Sequence, residues 1–198
     1  FIDNKSTDSS KSIAQVFDSR LKYFETTEHI PLYEARNLAM EKVSGKFIAF
    51  LDCDDMWLPS KINTQISYLE KHQAQFVYSH AEMLIDNEEE RLKKVGYFYF
   101  KIRDYFFNRK TGRVRLSSLL KDYDIFLQSV LIRKEFIDGL KFNNKLNLLG
   151  DLDFFLRLFL CKQESPHFIS KKLVKYRLHA HQLTKKSAKD WYKESRYL

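Results

Sequence analysis

Residues Phe47 to Leu58, FIAFLDCDDMWL, constrain the fold of this chain more than any other stretch. Five apolar residues, Phe47, Ile48, Ala49, Phe50 and Leu51, run into three carboxylates, Asp52, Asp54 and Asp55. An apolar run this short, with Gly45 before it and acids after it, predicts a strand buried on both faces of a parallel sheet. Open α/β sheets bind ligands in the crevice at the carboxyl ends of their strands. Carboxylates crowded there repel one another unless a cation or a metal–polyphosphate lies between them. An isolated DxD is as readily a solvated acidic turn, so the case rests on what surrounds it.

The composition suits one cytoplasmic α/β domain. At 198 residues and 44% hydrophobic content the chain can bury a sizeable core. No apolar run approaches the ~18 residues of a membrane span, and no signal peptide is seen ahead of the first strand. The two cysteines, Cys53 and Cys161, lack metal-site spacing and are expected to be reduced. Five glycines form neither GxGxxG nor GxxxxGK[ST], which argues against a dinucleotide fingerprint or a P-loop. The net charge of +8 is uneven. From Lys162 onward ten basic residues face three acidic ones, whereas the preceding 161 residues hold twenty-four and twenty-three. Such a segment can meet nucleic acid, anionic lipid or a phosphate-bearing substrate, or simply be solvated surface.

Strands and helices alternate along the chain. Phe1-Ile2 reads as a strand end, and Asp3 to Asp8 as a polar turn rich in capping residues. A helix is expected over about Ser9 to Phe17 with Ile13, Val16 and Phe17 on one side, then a strand at Leu21 to Phe24. Leu32 to Val43 reads as a helix with Leu32, Ala35, Ala39 and Val43 inward, stopped by Ser44-Gly45. Pro59 opens another, with Ile62, Ile66 and Leu69 at helical spacing. Phe76 to Ser79 and Ala81 to Ile85 read as strands, followed by an exposed turn over Asp86 to Glu90. From Arg91 to Tyr123 aromatics such as Tyr97, Phe98, Tyr105 and Phe106 mix with basic residues. That mixture can stack sugars or bases, but core with snorkelling Lys and Arg is the better reading. A strand at Val130 to Ile132 precedes a short helix at Lys134 to Gly139. Leu152, Phe155, Leu156, Phe159 and Leu160 then mark a clear helix, Phe168 to Arg177 a last strand, and Leu183 to Arg196 a polar tail with helical potential.

Five segments, in order, resemble family 2 glycosyltransferases of the nucleotide-sugar-binding A-type fold, across essentially the whole chain. IDNKSTD resembles VDDGSTD or VDNGSTD, and EARNLAMEKVSGKFIAFLDCDDMWLPSKI resembles ARNxGIxxAxGEYIAFLDSDDxWxPxKL. FLQSVLIRKEFI resembles TSSVLIRREVL, GDLDFFLRL resembles EDWDLWLRL, and VKYRLHAHQLTKKS resembles VxYRxHxxNxS. The resemblance implies a Rossmann-like nucleotide-diphospho-sugar transferase fold, a mixed, mainly parallel sheet flanked by helices. It also implies that a strand and a helix belong before Phe1, so residues 1–198 are expected to be one domain, incomplete at its N-terminus.

The implied activity is inverting transfer of a sugar from a nucleoside diphosphate, UDP favoured, to an acceptor hydroxyl on a glycan or lipid-linked glycan of the bacterial surface. Negative charge grows on the departing diphosphate, and a divalent cation, Mn²⁺ or Mg²⁺, held by carboxylates can neutralise it. By resemblance Asp52 and Asp54 form the metal pair, Asp54 the more direct ligand and Asp55 in support. Asp3 matches the nucleobase-contacting acid, Asn4 standing where many members have a second Asp. Arg36 is expected near the nucleotide, with a helix-surface salt bridge as the alternative. Asp151 matches the general base, with a helix cap as the alternative, and Gly150 replaces the usual Glu before it. Asp153 reads as a helix N-terminal carboxylate. His179 is expected at the metal or diphosphate, or in a structural role. The basic C-terminal segment is expected to rest peripherally on the inner membrane face, without nucleic acid. Two other classes compete. A haloacid-dehalogenase-type phosphotransferase also places DxD after an apolar strand, but wants Thr or Val where Met56 stands. A non-catalytic basic module would explain the tail and leave the five motifs unexplained.

Overall fold

The computed structural model describes residues 1–85, 110–121, 123–179 and 188–196. The expected turn at 86–90, the aromatics from Tyr97 to Phe107, and Lys185 and Lys186 lie outside these residues. The chain divides into two compact units, Phe1–Gly45, Gly139–Arg157 and Lys186–Leu198 in the first, Lys46–Asp138 and Leu158–Lys185 in the second.

In the first unit β1 (Ile2–Asp3) pairs in parallel with β2 (Phe24–Glu25), Ile2 opposite Phe24, around helix α1 (Ser10–Phe17). The turn after β1 puts Lys5 at φ 62°, a left-handed conformation that glycine adopts without strain, and the resembled motif has Gly at this position. The apolar stripe of α1 forms as expected but faces outward: Val16 is 84% and Phe17 74% exposed, and Ala14 is the buried residue. Helix α2 (Leu32–Lys42) buries Tyr33 and Ala35, whereas the expected inward residues Leu32 and Val43 stay at the surface. Tyr33, Phe142 and Phe154 stack successively, with centroid separations of 5.6 and 4.1 Å. Asn37 ties this stack to α2, its side-chain amide giving and taking one bond each with the main chain of Phe142, at 2.9 and 2.8 Å.

The second unit holds a six-stranded sheet in the order β3 (Phe47–Ile48), β7 (Leu131–Arg133), β5 (Phe76–Ile85), β8 (His167–Leu178) and β4 (Met56–Trp57), with β6 (Gly112–Arg113) also on β8. The sheet is mixed, as expected. Its longest ladder, β5 with β8, is parallel from Val77/His167 to Ile85/Leu178, and its shorter ladders are antiparallel. The strand ending at the acids is therefore corrected. It covers two residues, pairs antiparallel with β7, and leaves Leu51 half exposed, so the apolar run is not a strand buried on both faces. Position His80, read from the sequence as a gap between two strands, is a register shift within one strand. The partner bulges there, exposing Ser170 to Lys172 before Leu173 and Val174 both turn inward.

Helix α3 (Lys61–His72) packs Ile62, Ile66 and Leu69 on a core of Ala74, Val77, Leu131, Ile169 and Leu173. Yet Lys61 and Gln65 are buried as completely as Leu69. The expected short helix after β7 is a 3₁₀ turn, Lys134–Ile137. Helix α4 (Leu116–Lys121) belongs to this unit. Helix α5 (Gly150–Lys162) buries Phe154, Phe155, Leu158 and Phe159, and α6 (Ala188–Ser195) carries the tail.

Candidate functional site

The acids Asp52, Asp54 and Asp55 occupy the turn from β3 to β4, closed by the Asp55 N–H on the Asp52 carbonyl at 3.1 Å. Strand β4 pairs antiparallel with β8, Met56 opposite Lys175 and Trp57 opposite Val174. Continued past Met56, that register carries the end of β8 alongside the acids, and Arg177 and His179 reach them. Each acid is gripped by a donor from a distant part of the chain. The Gln128 side-chain nitrogen donates to Asp52 Oδ2 at 2.7 Å, His179 Nε2 lies 3.0 Å from Asp54 Oδ2, and the Arg177 N–H donates to Asp55 Oδ1 at 2.8 Å. Arg177 also donates through Nε to the Asp54 carbonyl at 3.0 Å. Asp55 is buried, and this burial pushes its carboxyl up to about 6, with Asp54 and Asp52 adding to the rise against the Arg177 N–H.

These residues fit a divalent cation. One oxygen from each acid can be chosen so that all three lie within 4.8 Å of one another. Buried Asp55 Oδ2 has no hydrogen-bond partner among the described residues. Hard carboxylate oxygens with an adjacent imidazole match the ligand preferences of Mn²⁺, and the oxygens alone those of Mg²⁺.

A separate constellation forms in the first unit. Arg36 Nη1 donates to Asp151 Oδ1 at 2.7 Å, joining α2 to the first turn of α5. Its guanidinium lies 5.2 Å from the Tyr33 ring centroid. Asp151 thus lies in the first turn of the helix, paired with arginine; Asp153, two residues on, bonds Arg157 at 2.9 Å. Gly150 is dictated by Tyr33: a Cβ there would meet the phenol ring at 2.4–2.7 Å. Burial, with Asp151 nearby, pushes the Tyr33 phenol up. Glu194 of α6 accepts the N–H groups of Asn147, Leu148 and Leu149 at 2.8, 2.8 and 3.0 Å, fixing the loop that leads into Asp151.

Asp3 has its own partners. Tyr23 donates its hydroxyl to Oδ2 at 2.6 Å and Ser6 its N–H to Oδ1 at 2.8 Å, which hold the carboxyl below its usual range. Asn4 exchanges two bonds with the main chain of Ile30, at 2.7 and 2.9 Å, one of which needs an amide donor that an aspartate lacks.

Of the residues expected from sequence, Asp52, Asp54, Asp55 and His179 come together, and Arg36 joins Asp151. Asp3 is held by Tyr23 and Ser6. Sequence reading assigned no role to Gln128, Arg177, Tyr33 or Glu194. Arg177 had a signal, standing two residues before His179 in YRLH. The others had none, since each acts through a partner far away in sequence.

The family model for glycosyl transferase family 2 matches residues 1–134. The chain belongs to this family. Among family relatives, the Escherichia coli UDP-Glc:alpha-D-GlcNAc-diphosphoundecaprenol beta-1,3-glucosyltransferase WfgD is 36% identical over 86 residues, 43% of this chain and 34% of that protein. The uncharacterized glycosyltransferase MJ1057 of Methanocaldococcus jannaschii is 24% identical over 89% of this chain and 58% of its own length. The chain therefore spans from a third to three-fifths of these relatives. Staphylococcus aureus TarS, residues 1–349 with UDP-GlcNAc, aligns with a TM-score of 0.75 at 16% identity, over 99% of this chain and 54% of that one. That likeness shows the fold, the A-type nucleotide-sugar transferase fold with a mixed sheet.

Proposed function

We propose that this chain carries out inverting glycosyl transfer, from a nucleoside-diphosphate sugar, UDP-sugar favoured, to a hydroxyl of a glycan or lipid-linked acceptor in cell-surface polysaccharide synthesis. The observation that carries the reading is the gripped acid cluster at the β3–β4 turn, in a chain of family 2. Membership of that family weighs against both the phosphotransferase and the basic-module alternatives. A relative named for glucosyl transfer to a diphosphoundecaprenol-linked sugar supports the acceptor class.

In this reading Asp54 and Asp52 hold a divalent cation, Mn²⁺ or Mg²⁺, with Asp55 in support. When bound, the cation neutralises the charge that grows on the leaving diphosphate. His179, which holds Asp54 from one side, meets the diphosphate in this reading. Asp3, fixed by Tyr23 and Ser6, keeps acceptor capacity for a nucleobase N–H. Asp151 takes the proton of the acceptor hydroxyl, oriented by Arg36, which acts here as a holder of the base. The exposed Lys171 and Lys172 on β8 belong to a basic surface suited to peripheral contact with an anionic membrane. Among the described residues no helix is long and apolar enough to cross a membrane.

The test is UDP binding with and without Mn²⁺. Chelation is expected to weaken it sharply, and Asp54→Ala to reproduce that loss. UDP affinity indifferent to Mn²⁺ would sink the metal-site reading.

A further inference from the structure

We propose that Gln128 is a positioning residue for the cation site, and that a clamp of half-buried Trp57 with buried Lys61 and Gln65 holds it there. The inference rests on the reading of Asp52 and Asp54 as cation-binding acids. Three consecutive main-chain carbonyls, those of Gln128, Ser129 and Val130, each accept one bond from the clamp. Trp57 Nε1 reaches the Gln128 carbonyl at 3.1 Å, Gln65 Nε2 the Ser129 carbonyl at 2.7 Å, and Lys61 Nζ the Val130 carbonyl at 3.0 Å. Lys61 donates again to Gln65 Oε1 at 2.7 Å, and its ammonium lies 4.6 Å from the Trp57 ring centroid. All three donors lie just after the acids in sequence, on β4 and the first turns of α3.

Burying the Lys61 amine and the Gln65 and Gln128 amides is costly unless every one is satisfied, and an apolar core would serve stability better. A fully satisfied network instead fixes position. What this one fixes is the turn whose polar side chain, Gln128, donates to Asp52 Oδ2 at 2.7 Å. A carboxylate only accepts, so the amide nitrogen faces it. The segment that follows the acids thus loops around to hold the residue that aims the first of them.

Groups that bond a metal ligand from behind typically set affinity by about 10–100-fold. The experiment titrates Mn²⁺, alone and with UDP, into full-length wild type, Asp54→Ala, Gln128→Met and Gln128→Ala, and melts each metal-free protein. Gln128→Met conserves volume and removes the donor, and both Gln128 variants keep the carbonyl that Trp57 holds. Mn²⁺ affinity is expected to fall ~10–100-fold in both, measured well below their melting temperatures, with metal-free UDP binding unchanged. A structural role alone would lower the melt and leave the affinity of the folded protein in place. Wild-type Mn²⁺ affinity in the Gln128 variants, with loss in Asp54→Ala, would overturn this inference and spare the metal reading. Mn²⁺ binding that survives Asp54→Ala would overturn the metal reading itself.

Discussion

An arginine bonded to a carboxylate holds it in one orientation, and Asp151 is held in this way. The Arg36 bond occupies Oδ1 at 2.7 Å, and the Tyr33 ring beside the guanidinium keeps that donor from swinging away. A base held in place typically contributes about 10²–10⁴-fold in rate, or roughly 3–5 kcal/mol of barrier. An asparagine side chain at this position would keep the shape and accept the Arg36 bond but take no proton. Asp151→Asn is therefore expected to lose transfer by that order while still binding UDP and Mn²⁺ and melting near wild type. Sugar transfer at close to the wild-type rate would rule out the base assignment, and an unfolded variant would make Asp151 a structural ion-pair partner. The family resemblance pointed to Asp151 and, separately, to Arg36, but not to their pairing. The partners are 115 residues apart, and only the packing of α2 on α5 joins them.

Helix α3 shows why elements are easier to read than their interiors. Its apolar spacing identified the helix, but positions 61, 65 and 69 form the innermost line, and two of these are polar. Burial pushes Lys61 down to about 7 from an ordinary 10.5. Between those two values the unfolded chain holds the proton that the folded one has released. Stability must then rise with pH across that window, by at most about 1.4 kcal/mol per pH unit. Urea melts of wild type and Lys61→Met from pH 7 to 9 isolate this contribution. The gap should move in favour of wild type as pH rises, and parallel curves would refute it. Helix α5 was legible as an element for the same reason as α3, but its face was not: Leu160 of the expected stripe is exposed, while Phe154 and Leu158, outside that stripe, are buried. The run before the acids was too short to reveal its neighbours, and the α1 stripe reported a face without reporting which side is covered. Gln128 sits in an apolar run and means nothing until β7 is in register and Asp52 is beside it.

At the scale of the whole molecule, charge and time matter. Lys171 and Lys172 are exposed and Lys175 half-buried on β8, in the segment that holds nearly all of the +8 net charge. Each such charge near an anionic bilayer is worth about 1 kcal/mol and fades over a Debye length. Co-sedimentation with anionic vesicles should fall with salt and with Lys171→Gln/Lys172→Gln/Lys175→Gln; equal sedimentation with neutral vesicles would leave the patch as solvated surface. The bonds of Glu194 to residues 147–149 carry a different consequence, one of order in time. A ribosome adding about 5–20 residues per second reaches Glu194 several seconds after it has made Leu149. Throughout that interval the nascent loop before Asp151 has three peptide N–H groups waiting for an acid that has not yet been translated. The last turn of α6 therefore completes a segment synthesised long before it, and a ribosome stalled between the two would hold a chain whose loop before Asp151 is still unfinished.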